Sequence, residues 1–254
     1  MNKLLNLCIG RGQPKKGVEF GPIVLNQFFK NVISSTNINC YKTAHYKALA
    51  SYHISKNESK LFTIGGDHSI AISSVSAFKK VYKKGGVVWI DAHADINTPK
   101  TSPSGNLHGM PVSFLMGLSE NHEFDFLKDQ NKLQHNEIFY IGVRDIDPME
   151  KKILDRLGIK YSKHYDKNEL DNWVSENKFE DLHISFDVDA LDPSLVCSTG
   201  TPVPDGLHTD DIKDIWTRLK NKTKSIDIVE YNPEIGDHKK SLVVMNDIIN
   251  FFIK

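Results

Sequence analysis

The most informative segment of this 254-residue chain is Val87-Val88-Trp89-Ile90-Asp91-Ala92-His93-Ala94-Asp95. Its apolar half predicts a buried strand, and its polar half carries acidic side chains and an imidazole at alternate positions. Because residues two apart in extended backbone point to the same side, these side chains face one crevice at the strand end. The pattern recurs where residues 182–186 lead into Asp187-Val188-Asp189 and where residues 61–64 lead into Gly65-Gly66-Asp67-His68-Ser69.

Short apolar runs alternate with helix-length segments along the whole chain. The predicted strands are residues 4–9, 38–41, 61–64, 87–90, 138–141, 159–161, 182–186 and 226–229. The predicted helices are residues 22–32, 44–54, 69–82, 148–157, 168–177, 209–219 and 239–252, where Pro22 and Pro148 suit first helical turns and Ser69 and Thr209 suit N-caps. This alternation predicts one α/β domain over residues 1–254, with a mostly parallel sheet of about eight strands buried on both faces.

The charge balance argues against several classes of function. Lysine plus arginine equals aspartate plus glutamate at 32 each, so we expect neither nucleic acid nor a membrane as a partner. No stretch reaches the roughly 18 apolar residues that a membrane span needs. The three cysteines Cys8, Cys40 and Cys197 are odd in number and form no CxxC spacing, which indicates a reducing compartment and favours a cytoplasmic protein.

The three strand exits predict a metal centre. In open parallel sheets the carboxyl ends of the strands meet at one edge, so their polar side chains converge there. The candidate ligands are His68, Asp91, His93, Asp95, Asp187 and Asp189. Six ligands exceed the need of one catalytic ion, and carboxylates that bridge would let them hold two. An oxygen-rich set with two imidazoles suits manganese, with iron or cobalt as alternatives. As a purely structural alternative, Asp and His at strand ends also cap helices and bond loop amides.

Longer motifs, beyond the candidate ligands themselves, show a resemblance to a known family. The segments concerned are Gly12-Gln13-Pro14-Lys15-Lys16-Gly17-Val18-Glu19, Gly65-Gly66-Asp67-His68-Ser69, Asp91-Ala92-His93-Ala94-Asp95-Ile96-Asn97-Thr98-Pro99, Ser104-Gly105-Asn106-Leu107-His108-Gly109, Arg144-Asp145-Ile146-Asp147-Pro148, Ser185-Phe186-Asp187-Val188-Asp189 and Gly200-Thr201-Pro202-Val203. Together they resemble the arginase family of ureohydrolases. The resemblance implies a central eight-stranded parallel sheet, two Mn²⁺ per subunit and hydrolysis of the guanidinium group of L-arginine to L-ornithine and urea.

The resemblance also implies roles for the metal ligands and for three catalytic residues. One manganese would be held by His68, Asp91, Asp95 and Asp187, and the other by Asp91, His93, Asp187 and Asp189. On this hypothesis a hydroxide that bridges both metals attacks the guanidinium carbon and Asp95 holds its proton. Glu230 pairs with the guanidinium, and His108 relays a proton to the departing amine.

Family likeness places further residues at the amino-acid end of the substrate. Asn97 and Ser104 would lie near the α-carboxylate, Asp147 and, through water, Glu150 near the α-amino group, and Thr201 close by. Neutral donors suit a carboxylate, and anionic acceptors suit an ammonium group. The structural alternative is that Asn97 and Ser104 stabilise their loop and that Asp147 caps the helix that begins at Pro148.

Other functions fit parts of the pattern. An agmatinase-like or other guanidino ureohydrolase would keep all six ligands but need no contacts to an α-carboxylate. A deacetylase of the related superfamily needs only one transition ion, and a catalytically silent metal-binding or partner-binding protein would need neither His108 nor Glu230. The family resemblance implies a homo-oligomer, a trimer. Thr209-Asp210-Asp211, however, stands where relatives carry an arginine that contributes to subunit contacts.

Overall fold

The computed structural model describes residues 3–29, 34–37, 47, 49–51, 60–120, 122–127 and 132–254. The strands are β1 (Lys3–Leu7), β2 (Ser34–Asn37), β3 (Leu61–Gly65), β4 (Gly86–Ile90), β5 (Ile138–Ile141), β6 (Tyr161–Ser162), β7 (Leu182–Asp187) and β8 (Thr223–Val229). The helices are α1 (Gly21–Leu25), α2 (Ala71–Val81), α3 (Pro111–Leu115), α4 (Pro148–Leu157), α5 (Lys167–Glu176), α6 (Thr209–Leu219) and α7 (His238–Ile253), and residues 47 and 49–51 are also helical.

The strands form one parallel sheet in the order β2-β1-β3-β8-β7-β4-β5-β6. The prediction of a mostly parallel sheet of about eight strands is therefore confirmed. Because β8 lies between β3 and β7, the last strand of the chain occupies the middle of the sheet. Within the described residues, no helix is long and apolar enough to cross a bilayer.

Two apolar layers cover the two faces of the sheet, as expected for a three-layer α/β/α fold. In β4, Val88 and Ile90 pack on the face that α1, α5, α6 and α7 cover. Val87 and Trp89 pack on the opposite face, which is covered by α2, α3 and α4. All five residues of β4 are buried, so the run of apolar residues reflects burial on both sides rather than on one.

Several predicted boundaries differ from the structure. The helix predicted at 22–32 ends as α1 at Leu25 and continues as a short 3₁₀ turn, Asn26–Phe29. The strand predicted at 38–41 and most of the helix predicted at 44–54 lie outside the described residues, while β2 lies at Ser34–Asn37. Among the described residues, β2 pairs only with β1 at the sheet edge, and its polar sequence carries no apolar run that a pattern could detect.

The predicted N-caps Ser69 and Thr209 are wrong by one or two residues. His208 is the N-cap of α6, and its backbone N–H donates to Oδ2 of Asp211 at 2.8 Å. Asp67 is the N-cap of the short helical turn before α2, and its Oδ1 accepts the backbone N–H of Ser69 at 3.0 Å. A carboxylate accepts these N–H groups more strongly than a hydroxyl does, because the hydrogen bond is charge-assisted.

Candidate metal centre

The four central strands β3, β8, β7 and β4 bring the candidate ligands to one edge of the sheet. Ile90 and Phe186 are register partners, so Asp91 and Asp187 leave the sheet at the same level. The exit of β3 depends on Gly66, because a Cβ there would lie 1.8 Å from the carbonyl oxygen of Ile9. Only glycine allows this close approach of backbone.

His68 lies at the centre of the first ligand group. Its Nδ1 is 3.0 Å from Oδ2 of Asp91, 3.0 Å from Oδ2 of Asp95 and 3.2 Å from Oδ2 of Asp187. The imidazole is completely buried, and its Nδ1 has no hydrogen bond of good geometry. One ring nitrogen can donate at most one proton, so three converging carboxylate oxygens fit a shared cation better than a hydrogen-bonded imidazole. The residues present therefore fit a metal ion.

His93 lies in a second group beside the first. Its Nδ1 is 3.1 Å from Oδ2 of Asp189 and 3.5 Å from Oδ1 of Asp91. Ligand atoms of His68, Asp91 and Asp187 lie within 4.8 Å of one another, and so do those of Asp91, His93 and Asp189. Asp91 thus belongs to both groups, with one oxygen turned to each imidazole, as a bridging carboxylate would be. All six candidate ligands lie in this cluster.

Crowding of carboxylates dominates the electrostatics of the cluster. Burial, together with the charge of Asp91, raises the pKa of Asp95 to about 6. Burial and the charges of Asp189 and Asp91 raise the pKa of Asp187 well above its ordinary value. Burial would also raise the pKa of Asp91, but contact with the imidazoles holds it well below its usual range. Ionising all of these neighbouring carboxylates costs much free energy unless positive charge lies between them. This is a second reason why cations fit the cluster.

Glu230 and His108 lie beside the cluster. Glu230 directly follows β8 and has a φ of +64°, and its backbone N–H donates to the carbonyl of Gly66 at 2.8 Å. Its Oε1 accepts the backbone N–H of His68 at 2.8 Å and lies 3.1 Å from Nδ1 of His108. Burial would lower the pKa of His108, but the Glu230 carboxylate raises it above the ordinary value. A half-buried imidazole with a raised pKa therefore lies next to a buried carboxylate.

Three of the five residues predicted at the amino-acid end of the substrate lie together. Nδ2 of Asn97 donates to Oδ2 of Asp147 at 2.5 Å. Oδ1 of Asp147 accepts two backbone N–H groups at the start of α4, so this residue is also a helix cap. Glu150 accepts the backbone N–H of Ile96 at 3.1 Å, and burial together with the charge of Asp95 raises its pKa to about 8.

The other two lie elsewhere. Thr201 donates to Oδ2 of Asp189 at 2.9 Å, so it contacts a candidate metal ligand. Ser104 is exposed, and its Oγ accepts the backbone N–H of Asn106 at 3.2 Å within its own loop. His183 lies four residues before Asp187 in β7, so the rise per residue of a strand places it too far from the cluster to be a ligand. It contacts Ser225 and Asp227 instead, at 2.8 and 3.1 Å.

The structure adds contacts that the sequence pattern did not single out. Nε1 of Trp89 donates to Oδ2 of Asp91 at 2.9 Å, and Oγ of Ser185 lies 2.8 Å from Nε2 of His68. Their position in the strand could have indicated these contacts. Trp89 lies two residues before Asp91, and Ser185 two residues before Asp187, so each points to the same side of its strand as the candidate ligand that follows.

Arg144 fastens the backbone of the segment that follows β7. Its guanidinium donates to the carbonyl oxygens of Asp189 at 2.9 Å, Ala190 at 3.1 Å and Val203 at 2.7 Å. A planar guanidinium carries five N–H donors in a fixed fork, so it can bind several carbonyl groups at once in one rigid arrangement. The backbone around Asp189 is therefore held in place from outside the cluster.

Comparison with known proteins gives a consistent result. Residues 35–253 match the family model described as "Arginase family". The hepatic arginase of Aquarana catesbeiana is 35% identical over 296 residues, which cover 98% of this chain and 90% of that protein. Human arginase-1 is 35% identical over 274 residues, covering 92% and 85%. The crystal structure of Entamoeba histolytica arginase in complex with L-ornithine superposes with a TM-score of 0.89 at 28% identity, covering 98% of this chain and 97% of that one.

Proposed function

The chain belongs to the arginase family, and from this premise we propose how its metal centre and the residues around it act on the substrate. The protein is a hydrolase that converts L-arginine to L-ornithine and urea. The observation that carries this function is the buried Nδ1 of His68, which faces three carboxylates, with the Glu230–His108 pair beside it. The candidate metal ligands thus lie directly beside a carboxylate that suits a guanidinium and an imidazole that suits proton transfer.

We propose two Mn²⁺ per subunit. His68, Asp91, Asp95 and Asp187 would hold one ion, and Asp91, His93, Asp187 and Asp189 the other. When bound, the ions would lower the pKa of a water molecule and so supply the nucleophile that a resonance-stabilised guanidinium requires. Two features support two ions: Asp91 turns one oxygen to each imidazole, and the four carboxylates match four positive charges.

Three residues of the chain would complete the reaction. The Glu230 carboxylate would pair with the permanently cationic guanidinium and fix its orientation. Asp95 would hold the proton of the attacking water, a role supported by its position in the cluster, where its Oδ2 lies 3.0 Å from Nδ1 of His68. His108 would pass its proton to the departing amine nitrogen, a role supported by the contact of its Nδ1 with the Glu230 carboxylate, which raises its pKa.

Recognition of the amino-acid end would rest mainly on Asn97 and Asp147. The Asn97 amide would donate to the α-carboxylate and the Asp147 carboxylate would accept from the α-ammonium group, with Glu150 acting through water. Ser104 would reach the α-carboxylate from its exposed loop, and Thr201 would act close to the metal ligands, as its contact with Asp189 suggests.

We also propose that the chain forms a single catalytic domain, acts in the cytoplasm and assembles as a homo-oligomer. The free thiols of Cys8 and Cys197 support a reducing compartment. A trimer would be in keeping with the family resemblance, although the segment Thr209-Asp210-Asp211 lacks an arginine that could make bidentate subunit contacts. Light scattering on the purified protein measures the assembly directly.

One assay tests the function and its nearest alternative. After reconstitution with manganese, we expect urea release from L-arginine and a metal content near two ions per chain by elemental analysis. Agmatine, which lacks the α-carboxylate, should be a much poorer substrate. Equal or better turnover of agmatine would reassign the protein to the agmatinase-like alternative, and failure to release urea from either would contradict both.

A further inference from the structure

Gln13 belongs to the loop that follows β1 and meets Glu230 across the fold. Its side chain is buried, with 9% of its surface exposed. Nε2 donates to Oε2 of Glu230 at 2.5 Å, a contact between residues 217 positions apart in sequence. The loop is fastened by the backbone N–H of Gly12, which donates to Oδ2 of Asp67 at 2.7 Å. A loop that is anchored at Asp67 therefore places the carboxamide of Gln13 against the carboxylate of Glu230.

The hydrogen bonds of Glu230 define the orientation of its carboxylate. Oε1 meets two groups, the backbone N–H of His68 and Nδ1 of His108, while Oε2 accepts from Gln13. A carboxylate has about four lone-pair positions. With three used, the remaining acceptor position is on Oε2, and the Gln13 bond fixes the direction in which it points.

The chemistry of an amide suits this task. A lysine or arginine at position 13 would neutralise the carboxylate and compete with a cationic substrate, whereas an amide donates one hydrogen bond and leaves the negative charge in place. The packing is also tight around this group, because a Cβ on Gly200 would lie 3.0 Å from Oε1 of Gln13. Gly200 thus leaves the carboxamide the room it occupies.

We propose that Gln13 is a positioning residue for guanidinium recognition: it holds Glu230 so that the free lone pair of Oε2 faces the substrate. This proposal rests on the proposed function, in which Glu230 pairs with the guanidinium. Gln13 acts through Glu230 and needs no contact with the substrate itself.

The test compares the guanidinium end of the substrate with the amino-acid end. Gln13→Met keeps the length and shape of the side chain but removes the donor, and Gln13→Asn keeps the amide but shortens its reach. Loss of one hydrogen bond to a charged group predicts a rise of roughly tenfold to a hundredfold in the KM for arginine. The Kd of norvaline, an α-amino acid with an uncharged side chain, should stay within about twofold, and metal content should not change.

Lys15→Met is the matched control. Lys15 is an exposed residue of the same loop whose Nζ donates to the carbonyl of Gly200, so the change loosens the loop but leaves all three donors to Glu230 in place. We expect its KM for arginine to remain within about twofold of wild type. Parallel losses for arginine and norvaline, or equal losses in the Lys15 and Gln13 variants, would show a merely structural role and overturn the proposal.

A crystal structure of Gln13→Met separates this proposal from the proposed function. If the wild type releases no urea from arginine, the function fails, yet the orientation of Glu230 still tests the role of Gln13. Rotation of the carboxylate away from its wild-type plane supports positioning by Gln13. An unchanged carboxylate, still bonded to the His68 N–H, refutes it.

Discussion

Asn97 donates to Asp147 over a distance of 2.5 Å, which places a neutral donor and an anionic acceptor side by side at the edge of the metal cluster. An α-amino acid presents the complementary pair, a carboxylate and an ammonium group, on one carbon. If the substrate binds here as proposed, the hydrogen bond between the two side chains would set their relative position in advance and so lower the entropy lost on binding.

Replacement of Asn97 by alanine tests recognition of the α-carboxylate. We expect the KM for arginine to rise about tenfold, because the variant loses one hydrogen bond to a charged group. The kcat/KM for agmatine should change by less than about twofold, since agmatine carries no carboxylate there. Lys100→Ala, an exposed change in the same loop, is the control. An equal loss for the two substrates would mean that Asn97 only supports its loop.

Replacement of His108 by alanine tests the proton relay. General acid catalysis contributes about 10²- to 10⁴-fold to a rate, so we expect kcat to fall by about that factor. Metal content should be unchanged, because His108 contacts Glu230 rather than a candidate ligand. His135→Ala, on an exposed residue, provides the control. A kcat near that of wild type would leave His108 with a structural role only.

Glu150 makes the stability of the metal-free protein depend on pH. Its folded-state pKa of about 8 lies above the ordinary 4.5, so the folded protein binds a proton that the unfolded chain releases. The stabilisation is complete below pH 4.5 and is lost as the pH rises through 8. In Glu150→Gln this dependence should disappear, and the difference between variant and wild type should change by about 3 kcal/mol from pH 5 to pH 8. Urea unfolding of chelated protein at both pH values measures it, and parallel curves would contradict the assignment.

Manganese should stabilise the fold against heat. Ligand binding to the folded state contributes about 2.7 kcal/mol when free metal exceeds its Kd about a hundredfold, so Tm should rise on addition of Mn²⁺ and fall again with a chelator. Mg²⁺ should have a smaller effect because it seldom recruits imidazole. His68→Ala should reduce the manganese effect, whereas His164→Ala, on the surface, should not. If the Tm of the wild type does not change on addition of Mn²⁺, the proposed metal centre is contradicted.

The sequence predicted those parts of the fold where local signals and tertiary packing agree. The bounds of α4 and α6 match the predicted helices, and Pro148 lies in the first turn of α4 as predicted, whereas His208 rather than Thr209 is the N-cap of α6. α3 was missed, since five residues are too few to show a helical period. The six candidate ligands were predicted from the strand exits, where five of them alternate after β4 and β7 and His68 follows β3, and the structure brings all six into one cluster. The Gln13–Glu230 contact has no local signature, because it joins residues that only the completed sheet brings together.

The position of β8 between β3 and β7 also determines when the sheet can be completed during synthesis of the chain. During synthesis, the ends of β3, β4 and β7, which carry the candidate ligands, emerge before β8, the strand that separates β3 from β7 in the sheet. Contacts between distant parts of a chain form slowly, because a long loop must close first. A nascent polypeptide that stops short of residue 223 would therefore leave a gap in the middle of its sheet, and the candidate site would be assembled only after β8 has emerged from the ribosome.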